Sequence, residues 1–407
     1  MESITPVYNN FISFGCWNQT MTSEGPSRNL KQMLDTLKEI DTDAVLVSGD
    51  NYYPTKKDVY NPKKKKMKKD KTIYIKDLKD GFNQLITSTL DLGTPVYMNF
   101  GNHDMNVNEG YKIVSNNNVE ECTILKEELK FNSKNMHVSM NHTIKYGTHT
   151  IIIMIDTTIY CPPHEFIEKF ITCYSEYLNE ATDGLQVRLQ QMQSEYVSNA
   201  VRSFKGENII LVGHNPLIYE KTKGGKNKKQ MDGGVEFTDL FFNLQEIDSE
   251  YRSGSKSKSN SNSKSNSIFP KMKYRNIYYL CADYHQYEEG SITITKGNKS
   301  VVVHQYIAGI GGTELDPFKR KQSRFIESQD DYTLDYVHVK TKTQHGLLQA
   351  SYDNGWEFNF IPIRSGIKKK AWAQNSRNSQ RQRNLKGMSM SKHRRFTFFN
   401  RTRKSIR

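Results

Sequence analysis

Four segments of this 407-residue chain end a short apolar run in residues that can hold metal ions. Ala44-Val45-Leu46-Val47 leads into Ser48-Gly49-Asp50-Asn51-Tyr52-Tyr53. Val96-Tyr97-Met98-Asn99-Phe100 leads into Gly101-Asn102-His103-Asp104. Ile209 to Val212 leads into Gly213-His214-Asn215, and Ile277 to Cys281 into Ala282-Asp283-Tyr284-His285. The Asp50 carboxylate can bridge two cations. Tyr53 offers a phenolate, Asn102 a neutral carbonyl oxygen, and His214 and His285 imidazoles. This mixed oxygen and nitrogen set suits iron, zinc or manganese. Two such cations held together polarise a phosphoryl oxygen and activate water at neutral pH. If Asn102 faces a metal, His103 lies beside the substrate and can protonate a leaving oxygen.

Each residue alone has an ordinary reading. Asn-His-Asp also caps helices and fills turns, a lone histidine is more often structural than a ligand, and Tyr53 alone is core packing. Cys16 alone reads as a buried, inert thiol. The joint occurrence of four blocks, each at the end of a strand-like run, is what points to a site. Asp104 and Asp156 read as residues that orient a ligand or cap a loop.

The elements that would position these blocks follow from the apolar pattern. Strands are expected at Phe11–Cys16, Ala44–Ser48, Val96–Phe100, Thr150–Ile155, Asn208–Val212, Asn276–Cys281 and Val301–Ile307. Most are continuously apolar, as suits strands covered on both faces. Gly346–Tyr352 and Trp356–Pro362 flank Asp353-Asn354-Gly355, a hairpin signal. Helices are expected at Ser27–Ile40, with Ser27 as N-cap, and at Ile75–Leu92 and Gly184–Phe204. Alternation of strand and helix implies an α/β layered fold.

Composition sets the outer bounds. Apolar residues make up 36% of the chain, low for a fully packed globule. The shortfall lies in Lys63 to Lys69, in the Ser/Lys/Asn tract Ser253 to Ser267, and after Ser365. The first two are expected to be exposed inserted loops, near 54–74 and 252–268, because neither can bury enough apolar surface to order itself. Net charge is +14, yet Gly366 to Arg407 holds fourteen Lys or Arg and no acid, leaving 44 basic against 44 acidic residues elsewhere. A 1–365 domain followed by a basic, disordered 366–407 tail is the expected organisation. Aromatics in the tail, Trp372 and Phe396 among them, would suit docking to nucleic acid or another acidic surface, an anionic membrane included. The five cysteines have no CxxC spacing, so neither a disulfide framework nor a zinc finger is expected. The polar N-terminus and the lack of a ~20-residue apolar run suggest a soluble intracellular protein. Its wealth of Asn, Lys, Ile and Tyr suggests an AT-rich source such as a protist or a large DNA virus.

From Phe11 to Pro317 the chain resembles the calcineurin-like metallophosphoesterases, and among them the tartrate-resistant type of purple acid phosphatase. That type carries Gly-Asp-Asn-Phe-Tyr, here Gly49-Asp50-Asn51-Tyr52-Tyr53. It carries Gly-Asn-His-Asp, here Gly101 to Asp104, and a Gly-His block, here Gly213-His214-Asn215-Pro216. Met154 to Thr157 and Ala308 to Gly312 are weaker echoes. The resemblance implies a four-layer α/β/β/α sandwich and two metal ions, iron plus iron, zinc or manganese. It implies that Asp50 bridges them, that Tyr53 and His285 belong to a ferric site and Asn102 and His214 to a divalent one, and that His103 assists the leaving group of a phosphate-ester substrate. Two positions depart from the pattern. Gly15-Cys16-Trp17-Asn18 puts a cysteine where the family has an aspartate ligand, and Ala282-Asp283-Tyr284-His285 puts an aspartate where it has a histidine. A Cys16 thiolate keeps the charge but is softer, favouring zinc or ferrous iron. Asp283 adds negative charge that repels a phosphate dianion, and Tyr284 would contact substrate or block it. The expected function is hydrolysis of phosphomonoesters. The alternative is a catalytically impaired scaffold docking through its basic tail.

Overall fold

The structure is a computed structural model. It describes residues 9–363 apart from 20, 23–24, 62–65, 91–92, 106–110, 115–121, 162–166, 224–225, 231–233, 255–274, 314 and 317–322. The chain divides at Ile363, and everything below concerns the first unit. The tail expected after Ser365 and most of the Ser/Lys/Asn tract lie outside the described residues.

Two large sheets face each other. The first has six strands in the order Trp356–Pro362, Gly346–Tyr352, Asn10–Phe14, Val45–Ser48, Val96–Asn99, Met136–Val138. The second has eight: His142–Tyr146, Thr150–Met154, Asn208–Val212, Asn276–Cys281, Lys299–Ala308, Tyr287–Lys296, Tyr332–Lys342 and Arg324–Gln329. The middle of each is parallel. Parallel pairs need long crossovers, and helices supply them.

Why the central strands read as unbroken apolar runs is clear from their alternation. Phe11, Leu46, Ile152, Met154, Ile210, Val212 and Leu280 point between the sheets. Their neighbours Ile12, Phe14, Val45, Val47, Ile151, Ile153, Ile209 and Leu211 point outward into the core under the helices. Arg28–Glu39 and Ile75–Leu90 cover the first sheet, and Leu185–Ser203 and Val235–Gly254 the second. The result is a four-layer α/β/β/α sandwich. Ser27 caps the first helix by accepting the Leu30 N–H at 3.4 Å. No described helix is long and apolar enough to cross a membrane.

The structure corrects two expectations. Part of the lysine run, expected in a loop, lies in a strand: Thr55–Asn61 and Lys66–Tyr74 pair antiparallel, and Tyr111–Val114 adds a third strand, while Lys63 to Lys65 lie outside the described residues. Composition argued against order here, but it does not register backbone pairing. The cysteines do form a bond, Cys122–Cys173, across 51 residues. It joins the turn before helix Thr123–Leu129 to helix Ile167–Leu178, a pairing set by tertiary placement and invisible to spacing rules. Such a bond is typical of oxidising compartments, so it does not follow from an intracellular reading. Cys16, Cys161 and Cys281 are not disulfide-bonded.

Candidate metal centre

Every block singled out in the sequence sits just past the carboxyl end of a parallel strand. Cys16 follows Asn10–Phe14, Asp50 follows Val45–Ser48, and Asn102 and His103 follow Val96–Asn99. His214 follows Asn208–Val212, and Asp283 and His285 follow Asn276–Cys281. Open α/β sheets bind ligands at this edge, because each strand delivers its next few residues to a shared rim.

Two glycines let the loops meet. Gly49 has φ +76°, and a Cβ there would lie 2.6 Å from the Gly101 nitrogen. A Cβ on Gly101 would lie 2.4 Å from both the Asp50 backbone nitrogen and Asp50 Oδ1, and 2.9 Å from His214 Cε1. The Asp50 and Asn102 loops are therefore backbone against backbone. Gly101→Ala is expected to cost ~1–3 kcal/mol by overpacking, seen as a lowered Tm, and to displace Asp50 enough to reduce metal retention on dialysis.

Six non-glycine residues among those described have positive φ, and three of them are Cys16, Asp50 and Asp283, at +54°, +54° and +48°. Left-handed backbone costs a side chain about 1 kcal/mol or more and is retained where the surroundings impose it, often at functional sites. Here it turns three donor groups toward one point. Cys16 Sγ, one Asp50 carboxylate oxygen and a His214 ring nitrogen all lie within 4.8 Å of one another, fully buried.

The two Asp50 oxygens face different donor sets. Oδ1 accepts the His103 backbone N–H at 2.9 Å and lies 3.3 Å from His214 Nε2. Oδ2 accepts the Tyr53 hydroxyl in a short hydrogen bond and lies 3.8 Å from Cys16 Sγ. Tyr53 Oη in turn lies 3.0 Å from His285 Nε2. On the other flank, His214 Nε2 has Asn102 Oδ1 at 2.9 Å and Asp283 Oδ1 at 3.5 Å. Its Nδ1 donates to the Ser48 carbonyl at 2.8 Å, which fixes the ring and leaves Nε2 facing the cluster, as metal-ligating histidines are commonly held. Three acceptor oxygens crowd one imidazole nitrogen. That surplus of lone pairs is matched either by protonating the ring or by a cation.

The electrostatics carry the same signature. Burial pushes the Asp50 carboxyl up, but the charges of His214 and His103 and the hydrogen bonds from His214 and Tyr53 outweigh it, holding Asp50 below the usual carboxylate range. Burial pushes His214 down, but Asp50 and Asp283 raise it well above an ordinary histidine. Burial, then the Asp50 charge, raises the Cys16 thiol, and the same two causes raise the Tyr53 phenol. A buried negative cluster that holds protons this tightly is one a cation can occupy by displacing them. The donor set thus fits a metal.

Supporting residues surround the cluster. Asn51 donates to the Asn99 carbonyl at 3.0 Å and to Asp104 Oδ2 at 3.1 Å, and Asp104 also accepts the Gly101 and Asn51 backbone N–H groups, both at 2.7 Å. Burial raises the Asp104 carboxyl to about 7, and it raises Glu128, buried beside Asp104, well above its usual range. Asp104 thus clamps the Asp50 and His103 loops together. Asp156 caps the turn Thr157–Ile159. There Thr157 Oγ1 accepts the His214 and Asn215 N–H groups at 2.9 and 2.8 Å. Asp316 accepts the His285 N–H at 2.9 Å. Ser48 opened the Ser48–Tyr53 block and Thr157 lay within a motif echo, but neither was read as a support of the site; Glu128 and Asp316 carried no sequence signal. Tyr284 is buried, its ring 5.1 Å from that of Tyr219; neither substrate contact nor blockage follows from that position.

The four-layer sandwich carries a buried carboxylate, thiol and imidazole cluster at its strand ends that could hold a metal ion. Residues 11–244 match the calcineurin-like phosphoesterase family model, Metallophos, and the chain belongs to that family. Members act as metal-dependent phosphoester hydrolases and normally bind divalent metals. No curated protein matches this chain. Nine chains of solved structures match it. One, the structure of PhoD, is 12% identical with a TM-score of 0.49, over 90% of this chain and 69% of that one.

Proposed function

We propose that this protein is a dinuclear metal-dependent phosphomonoesterase. The observation that carries the reading is the division of Asp50, whose two oxygens face separate donor sets. Cys16, Tyr53 and His285 with Asp50 Oδ2 would hold one cation, and Asn102, His214 and Asp283 with Asp50 Oδ1 the other. When bound, the pair supplies Lewis acidity toward the phosphoryl group and an activated water. The chain does the rest. Ser48 holds the His214 ring and Thr157 its backbone, Asp316 steadies the His285 backbone, and Asp104 locks the two central loops. His103, half-buried and tilted over Tyr53 with centroids 4.5 Å apart, stands beside the cluster, where it can protonate a leaving oxygen.

The likeness to the tartrate-resistant purple acid phosphatases supports ferric iron beside Tyr53. The soft Cys16 sulfur favours zinc or ferrous iron instead. Elemental analysis and a chromogenic aryl phosphate assay on one preparation test both points. About two metals per chain with turnover are expected. A violet protein would place ferric iron on Tyr53, and a colourless one with zinc would place a soft metal on Cys16. Stoichiometric metal without turnover at any pH would reject the hydrolase reading.

A further inference from the structure

The Cys122–Cys173 bond joins two helices that brace different loops of the metal centre. Cys122 opens the helix Thr123–Leu129, which carries Glu128. That carboxylate is buried, and its Oε2 accepts the Asn51 amide N–H at 3.4 Å. Asn51 follows Asp50 directly, and its backbone N–H donates to Asp104 Oδ1 at 2.7 Å. The first helix thus braces the Asp50 loop.

Cys173 lies in the helix Ile167–Leu178, whose contacts bracket the loop of Asn102 and His103. Its Sγ lies 3.9 Å from the carbonyl of Met105, the residue after Asp104. The Tyr177 ring meets Phe100, the residue before Gly101, edge-on with centroids 5.9 Å apart. Tyr174, next to Cys173 and buried, donates its hydroxyl to Asp156 Oδ2 at 2.5 Å. Asp156 Oδ1 accepts the Thr158 N–H at 3.0 Å. That sets the turn from which Thr157 holds the His214 backbone. The second helix therefore steadies both ends of the Asn102 loop and, through Asp156, the His214 loop.

The two helices must keep their places relative to each other for these supports to act together. An ion pair, Lys126–Glu176 at 2.8 Å, also joins them, but it lies at the surface, where such pairs contribute little. A helix of seven residues is too short to hold itself by its own hydrogen bonds. The position of Glu128 against Asn51 therefore depends on what anchors that helix: burial of Ile124 and Leu125, and the bond at its start. Cys122 and Cys173 are 2% and 0% exposed, so the formed bond is closed to a reductant unless the helices part.

We propose that the Cys122–Cys173 bond is a positioning element of the metal centre, a latch closed during maturation on which metal retention depends. This rests on the metal centre described above, not on its hydrolytic activity. Closure is a thiol–disulfide exchange with a small disulfide. The two cysteine thiols give up two protons and two electrons, the Sγ–Sγ bond forms, and the small disulfide leaves as two thiols.

The test compares the full-length protein with the double variant Cys122→Ala and Cys173→Ala, both loaded with zinc. Release of zinc to excess chelator is followed well below either Tm, where a bond that only adds global stability leaves the rate unchanged. Release at least ~5-fold faster from the variant is expected, as for loss of a ligand's outer partners, and a smaller difference overturns the latch. Tyr174→Phe, which keeps the bond, is then made in both backgrounds. It should speed release in the wild type and have less effect in the double variant, because bond and hydroxyl act on the same loops. Equal effects in both backgrounds overturn the latch. Should the double variant not fold, wild type is partly cleaved with a phosphine and labelled with a maleimide. Native mass spectrometry then reads the zinc count of intact-bond and cleaved-bond molecules in one sample. Zinc lost only from cleaved molecules sustains the latch, and equal counts overturn it. Should wild type bind no zinc, the metal centre itself is refuted and the latch falls with it.

Discussion

Asp50→Asn is expected to strip the protein of most of its metal and to slow aryl phosphate hydrolysis by at least ~10³-fold, about 4 kcal/mol of lost transition-state stabilisation. Asparagine keeps the shape of the side chain and one acceptor oxygen. What it removes is the charge that both flanks of the site share. The Tyr53 and Cys16 flank meets Asp50 through Oδ2, and the His214 flank through Oδ1, so a single substitution disables both. His214→Ala and Tyr53→Phe each remove a donor from one flank only, and each should spare part of the metal content. The metal-free protein gives a second readout. Asp50 is held low by His214 and His103, so its contribution to stability is present above the ordinary carboxylate pKa of ~4 and is lost as pH falls through its lower folded value. The Tm gap between metal-free wild type and Asp50→Asn should therefore be open near neutrality and close in acid. Retention of two metals by the variant would remove Asp50 from the bridging role.

Much of the fold was legible because the central strands are covered on both sides. Ile151 to Ile155 and Ile209 to Val212 read as unbroken apolar runs, since alternate side chains enter two different cores. The strands that escaped notice, such as Tyr287–Lys296 and Tyr332–Lys342, lie toward one end of the second sheet and alternate buried with half-buried or exposed residues among Thr, Lys and Glu. Their apolar content is too thin to stand out against the loops. The lysine-rich pair Thr55–Asn61 and Lys66–Tyr74 was unreadable for a related reason: its order comes from pairing, and composition speaks only to burial. Within the site, the donors announced themselves by type and spacing. The supports did not, because a serine carbonyl, a threonine hydroxyl or a buried glutamate acquires its role from the neighbours the fold supplies. The Cys122–Cys173 bond belongs to the same class, joining two helices that no local pattern relates.

The departures at Cys16 and Asp283 have a structural counterpart. Both residues share the left-handed backbone of Asp50, which turns the chain back on itself at three strand ends. Their loops are cross-tied: the Cys16 N–H donates to the Gly49 carbonyl at 3.2 Å, and the Ala282 N–H to the His214 carbonyl at 2.8 Å. The two side chains therefore sit on a cross-tied backbone frame. Substitution there changes the hardness and charge of the donor set more than its placement.

His103→Ala is expected to lower kcat by ~10²-fold or more while leaving metal content unchanged. The separation follows from which atoms His103 contributes. Its backbone N–H, which alanine keeps, donates to Asp50 Oδ1. Its ring lies outside the buried cluster, tilted 37° over Tyr53, so truncation removes a proton donor without removing a metal donor. If the ring protonates the leaving oxygen, the deficit must depend on how much that oxygen needs a proton. An alkyl phosphate, whose leaving alkoxide is strongly basic, should suffer the full loss. A dinitrophenyl phosphate, whose leaving group departs as a stable anion, should suffer much less, because general-acid assistance scales with leaving-group basicity. A ring that only positions substrate would cost the same for both. Equal deficits across the leaving-group series would take the acid role away from His103 and leave it a positioning residue.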